Sequence, residues 1–158
     1  SLELWRPLTG CAFLGKLDMG WATQVYFLVK YGMFLEESRG AAEQMLFFVF
    51  CITVLNLLAV ATGWKFMGQQ LGIALIYASS RVNPQDSVPF QFGLTVPSWL
   101  LPYGMAAVDV LQAQSSGAGP AALVPHIVGI VVGHIWHFFS VVYPLLGGRK
   151  WLGAPDRL

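Results

Sequence analysis

Three histidines share one apolar stretch near the end of the chain, His126-Ile-Val-Gly129-Ile-Val-Val-Gly133-His134-Ile-Trp136-His137. Other polar side chains also stand in apolar surroundings: Asn56, the amide pair Gln69-Gln70, and Asp109. Polar and ionisable groups placed in this way must find partners, because an unpaired one is costly in hydrocarbon. Histidines in such a stretch could ligate a metal or haem, or join helices by hydrogen bonds. On a helix of about 3.6 residues per turn, His126 and His137 lie three turns apart and cannot share an ion. His134 and His137, at i and i+3, could share one, but no further histidine or second cysteine converges on them. The pattern reads as no metal centre and no cofactor, with the histidines as hydrogen-bonding groups between helices. A haem-binding bundle is the competing reading, and a visible absorption spectrum separates the two.

The glycines say which elements must hold these groups. Gly129 and Gly133 stack one turn apart on one helical face, with His126 just below and His137 just above. Glycines so spaced let another helix backbone approach closely. Gly68-Gln69-Gln70-Leu71-Gly72 has the same glycine spacing. The expectation is that the Gly68/Gly72 helix and the Gly129/Gly133 helix press together inside a membrane bundle.

Composition supports a membrane. Hydrophobic residues make up 56% of the 158 and charged residues 11%, against about 25% charge in soluble domains. Mean hydropathy is +0.61. A net charge of +1 excludes an electrostatic nucleic-acid binder. Cys11 and Cys51 give neither a disulfide framework nor metal spacing. No linker or repeat divides the chain, so residues 1–158 read as one all-α transmembrane domain.

Five spans are expected. Residues 1–18 are mixed, and Trp5 beside Arg6 suits a bilayer surface. The first span is Met19–Leu35, with Lys30 reaching back to the interface, and a charged Glu36-Glu37-Ser38-Arg39 follows. The second is about Met45–Gly63, in which Asn56 should bond a neighbouring helix. After a tight turn at Lys65 comes a third, Phe66–Ser79. At about 1.5 Å per residue it reaches only about 21 Å, against a hydrocarbon core of about 30 Å. Either protein covers it or the bilayer thins around it. A polar loop, Asn83–Gly93, leads to the fourth span, Val96–Leu111, where Pro102 suggests a bent entry. The fifth is Ala121 to about Tyr143. Arg39, Arg81, Arg149, Lys150 and Arg157, with Lys30 nearby, outnumber Arg6, Lys16 and Lys65 on the other side. That bias puts the tail in the cytosol.

In order and spacing, these landmarks resemble the Derlin family, the protease-dead branch of the rhomboid superfamily. They are Trp5-Arg6, Leu35-Glu36-Glu37, Gly68-Gln69, Arg81-Val82-Asn83-Pro84, Phe92-Gly93, Gly129-x-x-x-Gly133-His134-x-Trp136, Tyr143-Pro144 and Gly147-Gly148-Arg149. The resemblance covers nearly the whole chain. It implies a rhomboid-like bundle of six core helices, the first of which would precede Trp5, and it makes Leu2–Asp18 the half-embedded first loop.

A rhomboid protease carries its serine in Gly-x-Ser-x on the helix matching the third span. A histidine three residues before the first glycine of the last helix activates that serine. By resemblance His126 fills the histidine position, where Derlins usually carry another polar residue, and Gln70 stands at the serine position. An amide cannot be activated to attack a peptide bond. Ser79 and Ser80 lie about 14–15 Å further along the helix. The resemblance therefore implies no catalytic residue and no enzyme, with Gln70 and His126 as a vestigial pair, His126 bonded to Gln70 or to water.

Derlins serve retrotranslocation in the endoplasmic-reticulum membrane, passing misfolded proteins to the cytosol for ubiquitin-dependent degradation. The resemblance thus implies membrane lipid, misfolded clients, a membrane ubiquitin ligase complex and an AAA unfoldase as partners, with a homo-oligomer as a further possibility. The segment by which longer relatives recruit the unfoldase is not seen in these residues. Two alternatives are a Derlin-like importer in a complex-plastid membrane and an active rhomboid-like protease.

Overall fold

The computed structural model describes residues 19–63, 67–90, 93–114, 117 and 119–149. Trp5, Arg6, Cys11, Lys16, Lys65, Phe92, Lys150 and Arg157, which figured in the reading above, lie outside the described residues.

Among the described residues, five helices form the bundle. Helix α1 is Met19–Arg39 and α2 is Ala41–Thr62. They are joined by Gly40 alone, at φ 88°. That left-handed backbone suits glycine and turns the chain back within one residue. Gly63, at φ 74°, ends α2 by donating its N–H to Ala59 O. Helix α3 is Gly68–Ser80. A short antiparallel ribbon follows, β1 Ser87–Pro89 against β2 Thr95–Pro97, with Val88 opposite Val96. A 3₁₀ turn over Ser98–Leu100 leads into α4, Leu101–Gln114. A second 3₁₀ turn, Pro120–Ala122, opens α5, Leu123–His137, which continues through a π-helical turn, Phe138–Val142, to a final turn at Tyr143–Leu145.

Two of these helices are long and apolar enough to cross a bilayer by themselves: α2, and the continuous helical run Pro120–Leu145. Helix α2 buries only Phe47, Cys51 and Leu55, at helical spacing. Much of its remaining surface is apolar, and Met45, Val49, Leu57 and Val60 face outward, Val60 at 86% exposure, as expected of a helix surrounded by lipid. Helix α3 is the opposite case. Eleven of its 13 residues are buried, between α5 on one side and α1 on another. Protein therefore covers most of the short third helix.

Three further expectations need correction. The region Asn83–Gly93 is more than a polar loop, since it supplies the first strand of the ribbon. The fourth helix starts later than Val96, because Val96 and Pro97 are held in the second strand. Pro102 is consequently the second residue of α4, where its missing N–H costs no helical hydrogen bond and no bend is required. Lys30 packs over aromatic rings, with Nζ 5.5 Å from the centroid of Tyr26 and 5.7 Å from that of Tyr31.

The main contact of the bundle is α3 against α5. A Cβ placed on Gly129 would lie 2.7 Å from Gln70 O and 2.7 Å from Ile73 Cβ. One on Gly133 would lie 2.9 Å from Ala74 O and 3.1 Å from the Tyr77 ring. Helix α5 thus brings its glycines against backbone carbonyls of α3. The opposing face of α3 is Gln70, Ile73, Ala74 and Tyr77, and Gly72 is not part of it. A Cβ on Gly72 would meet nothing within 4 Å, so Gly72 takes no part in the close approach. Two helices need only one smooth face between them when the other offers short side chains and carbonyls. Beyond the glycines, Trp136 fills the gap to α2, edge-on to Phe47 at 5.5 Å.

These contacts set the cost of adding a methyl group. Gly129→Ala should lower stability in detergent by about 1–3 kcal/mol, since backbone atoms of α3 must move. Gly72→Ala should be neutral or slightly stabilising, as alanine is the better helix former. Thermal unfolding of the purified variants compares the two, and equal melting temperatures would contradict the packing described.

Candidate functional site

Several of the polar groups picked out in the sequence fall into two clusters along the α3–α5 seam. In the first, three helices meet. His126 on α5 is 1% exposed. Its Nε2 lies 2.7 Å from Oδ2 of Asp109 on α4. Gln69 on α3 donates from Nε2 to the same oxygen, at 3.3 Å. Asp109 therefore joins α4 to both neighbours. Nε2–H donates to the carboxylate, which leaves Nδ1 facing inward without a hydrogen-bond partner.

The expectation that His126 bonds Gln70 or water is replaced by this pairing with Asp109. The signal was present in the sequence: Asp109 is a carboxylate among apolar residues of the fourth span and needs a donor. What sequence could not give is the rotation of α4 that brings it to His126.

Gln70 sits beside this cluster. Its backbone carbonyl abuts Gly129, one turn above His126, so Gln70 and His126 occupy adjacent levels of one interface. The Gln70 side chain is buried, and its Oε1 has no partner. Two unpaired polar atoms thus face a protein-lined interior, an unusual state for buried groups.

No hydroxyl or thiol is hydrogen-bonded to the His126 ring among the described residues. Ser79 Oγ is taken up by Leu75 O at 2.8 Å and Tyr31 O at 3.2 Å. Ser80 Oγ donates to Tyr77 O at 2.7 Å. Both hydroxyls are committed to the backbone at the far end of α3. The first cluster thus has a histidine oriented by a carboxylate, with no nucleophile bonded to the histidine.

The second cluster lies two turns along the seam. The Tyr77 hydroxyl donates to His134 Nδ1 at 2.8 Å, and the rings meet edge to face. The Arg81 guanidinium stacks over the Tyr77 ring, 4.7 Å from its centroid. Tyr77, the partner of His134, and Arg81, which covers the Tyr77 ring, were missed; their i, i+4 spacing at the end of α3 could have suggested that they stack. His137 is only part-buried. Asn56 donates from Nδ2 to Ile52 O, one turn back on α2, at 2.7 Å. No three His, Cys, Asp or Glu side chains converge among the described residues.

A short, enclosed central helix, glycine-mediated packing against the last helix, and a polar junction within an apolar bundle describe a multi-helix membrane protein. Residues 1–156 match the Der1-like family, and the chain belongs to it. It is 30% identical to "Derlin-1.1" of Zea mays over 163 residues, covering 98% of this chain and 63% of that protein. It is 28% identical to "Derlin-1" of Arabidopsis thaliana over 160 residues, covering 98% of this chain and 58% of that protein. It is 26% identical to "Derlin-2.1" of Zea mays over 168 residues, covering 98% and 65%. The chain thus spans about three fifths of the length of these relatives.

The shared oxygen of Asp109 predicts coupled losses. His126→Ala and Asp109→Asn should each destabilise the protein, and a double-mutant cycle should give a coupling of about 1 kcal/mol, the scale of interhelical hydrogen bonds in membranes. Strict additivity in reversible unfolding would mean that the pair is not formed.

Proposed function

We infer that this chain is a protease-dead, Derlin-like component that helps move misfolded proteins from the lumen or membrane of the endoplasmic reticulum to the cytosol. The observation that carries the reading is the part-buried junction of Gln69, Asp109 and the buried His126, beside Gln70, whose own amide oxygen is unpaired. In a bundle surrounded by hydrocarbon, such groups favour the passage of a polar chain that would otherwise leave its backbone unsatisfied. Gln70 occupies the position where a protease would need its serine, so the site receives a polypeptide without cutting it.

Helix α4 is the element on which a gate would turn. It has 14 residues, of which Leu101, Pro102 and Ala106 are buried. Leu111 and Tyr103 face outward, at 66% and 42% exposure. At about 1.5 Å per residue its reach is about 21 Å. With α3 enclosed, α4 is the short helix that meets lipid, and the thinning of the bilayer belongs beside it. Helices α1 and α4 both pack on α3 without extensive contact with each other. A client segment would enter between them. On this reading a membrane ubiquitin ligase complex and an AAA unfoldase receive the client on the cytosolic side.

Two measurements bear on this together. A map of the protein in a lipid nanodisc should show the bilayer thinner by several Å next to α4, and uniform thickness would count against the mechanism. A photo-crosslinking residue at Tyr103 should capture a misfolded membrane client in microsomes, whereas the same group at Val60, on the outer face of α2, should capture lipid. Cleavage of a rhomboid substrate by the purified protein, abolished by His126→Ala, would replace this reading with proteolysis.

A further inference from the structure

A second feature lies at the other end of the bundle, away from Gln70 and His126. A cleft of about 570 Å³ opens between the end of α1, the start of α2 and the π-helical turn after α5, lined by Ser38, Arg39, Glu43, Ser140, Val141, Pro144 and Leu145. Its walls carry opposite charges side by side: Arg39 Nη1 is 3.0 Å from Glu43 Oε1, with both side chains largely shielded, at 16% and 14% exposure. Ser140, on the π turn, is 5% exposed, and its Oγ has no hydrogen-bond partner. A π turn inserted in an α-helix is uncommon and tends to mark functional positions. Here it sets Ser140 in the cleft wall. The first turn of α2 begins beside Arg39 and has no side-chain cap, so its free N–H groups favour an anion. Leu145 and Leu146 form an outer lip, 81% and 75% exposed.

We propose that this cleft binds a phospholipid whose headgroup carries both a phosphate and a primary ammonium, as phosphoethanolamine does. The phosphate accepts hydrogen bonds from the Arg39 guanidinium and from Ser140 Oγ, close to the N-terminus of α2. The ammonium donates to the Glu43 carboxylate. The four charges then alternate in a ring, which explains why a cleft suited to phosphate keeps a carboxylate within it. A plain anion would be repelled by Glu43, and a choline group has no N–H to offer that carboxylate. The acyl chains leave over Leu145 and Leu146 into the bilayer. The site lies at the charged turn between α1 and α2, which is headgroup depth for two helices that enter the membrane there.

The experiment is native mass spectrometry of the full chain purified in micelles containing equal phosphatidylethanolamine, phosphatidylcholine and phosphatidylglycerol. The wild-type protein should retain phosphatidylethanolamine about tenfold over phosphatidylcholine, the ratio expected of one added charge-assisted hydrogen bond. Glu43→Gln should remove that preference while total retained phospholipid stays near wild type. Arg39→Gln should lower retention of all three by about tenfold. Ser140→Ala, which alters one buried atom, tests the same site should the charge variants misfold, and should lower retention measurably without changing the melting temperature. Equal retention of the two zwitterionic lipids by the wild type, or a preference that survives Glu43→Gln, would overturn the proposal. Displacement of the lipid by millimolar free phosphoethanolamine would overturn it too, by making the occupant a soluble phosphate ester.

Discussion

The close approach of α5 to the backbone of α3 is the constraint on which the other features depend. Gly129 and Gly133 leave room for the carbonyls of Gln70 and Ala74, and no larger residue does so without moving a main chain. Apolar contact alone gives helices little reason to associate in lipid, because hydrocarbon tails solvate leucine as well as another helix does. Close packing and a few hydrogen bonds must supply the specificity. The glycine face provides the first, and the pairs Tyr77–His134 and Asp109–His126 provide the second, one on each side of the seam.

The same constraint orders the bundle around α3. A helix enclosed on most sides can be short, because it need not match the bilayer. It can also carry glutamines, because protein rather than lipid surrounds them. The lipid-facing helices divide the remaining tasks. Helix α2 is long and apolar around nearly its whole circumference and anchors the bundle. Helix α4 is short, packs into the core through Leu101 and Met105, and is joined to α3 and α5 through the carboxylate of Asp109.

The membrane character, the helical fold and the polar residues of the seam were legible in the sequence, because burial in lipid leaves few places for a charge or an amide. The glycine spacing of α5 marked a packing face correctly. The same spacing in α3 did not: Gly72 points to open space, since what α5 meets is backbone carbonyl, which has no sequence signature. The β1–β2 ribbon was read as loop because each strand is three residues long and includes a proline, too little for an alternating pattern. The partner of His126 could not be read either. Seventeen residues separate it from Asp109, and their meeting depends on the angle at which α4 leaves the 3₁₀ turn at Ser98–Leu100.

Gly40 has a consequence for how the molecule is made. Helix α1 has the length to span a bilayer but carries Gln24, Lys30 and the charged run Glu36-Glu37-Ser38-Arg39, so its own partitioning is poor. One residue separates it from α2, which is long and apolar enough to cross a membrane by itself. A joint that tight lets neither helix insert far from the other. The pair would therefore leave the translocon as one hairpin, with the strongly apolar arm drawing the weaker one into the bilayer. The left-handed glycine at the bend would thus matter during biogenesis, before any of the packing between α3 and α5 exists.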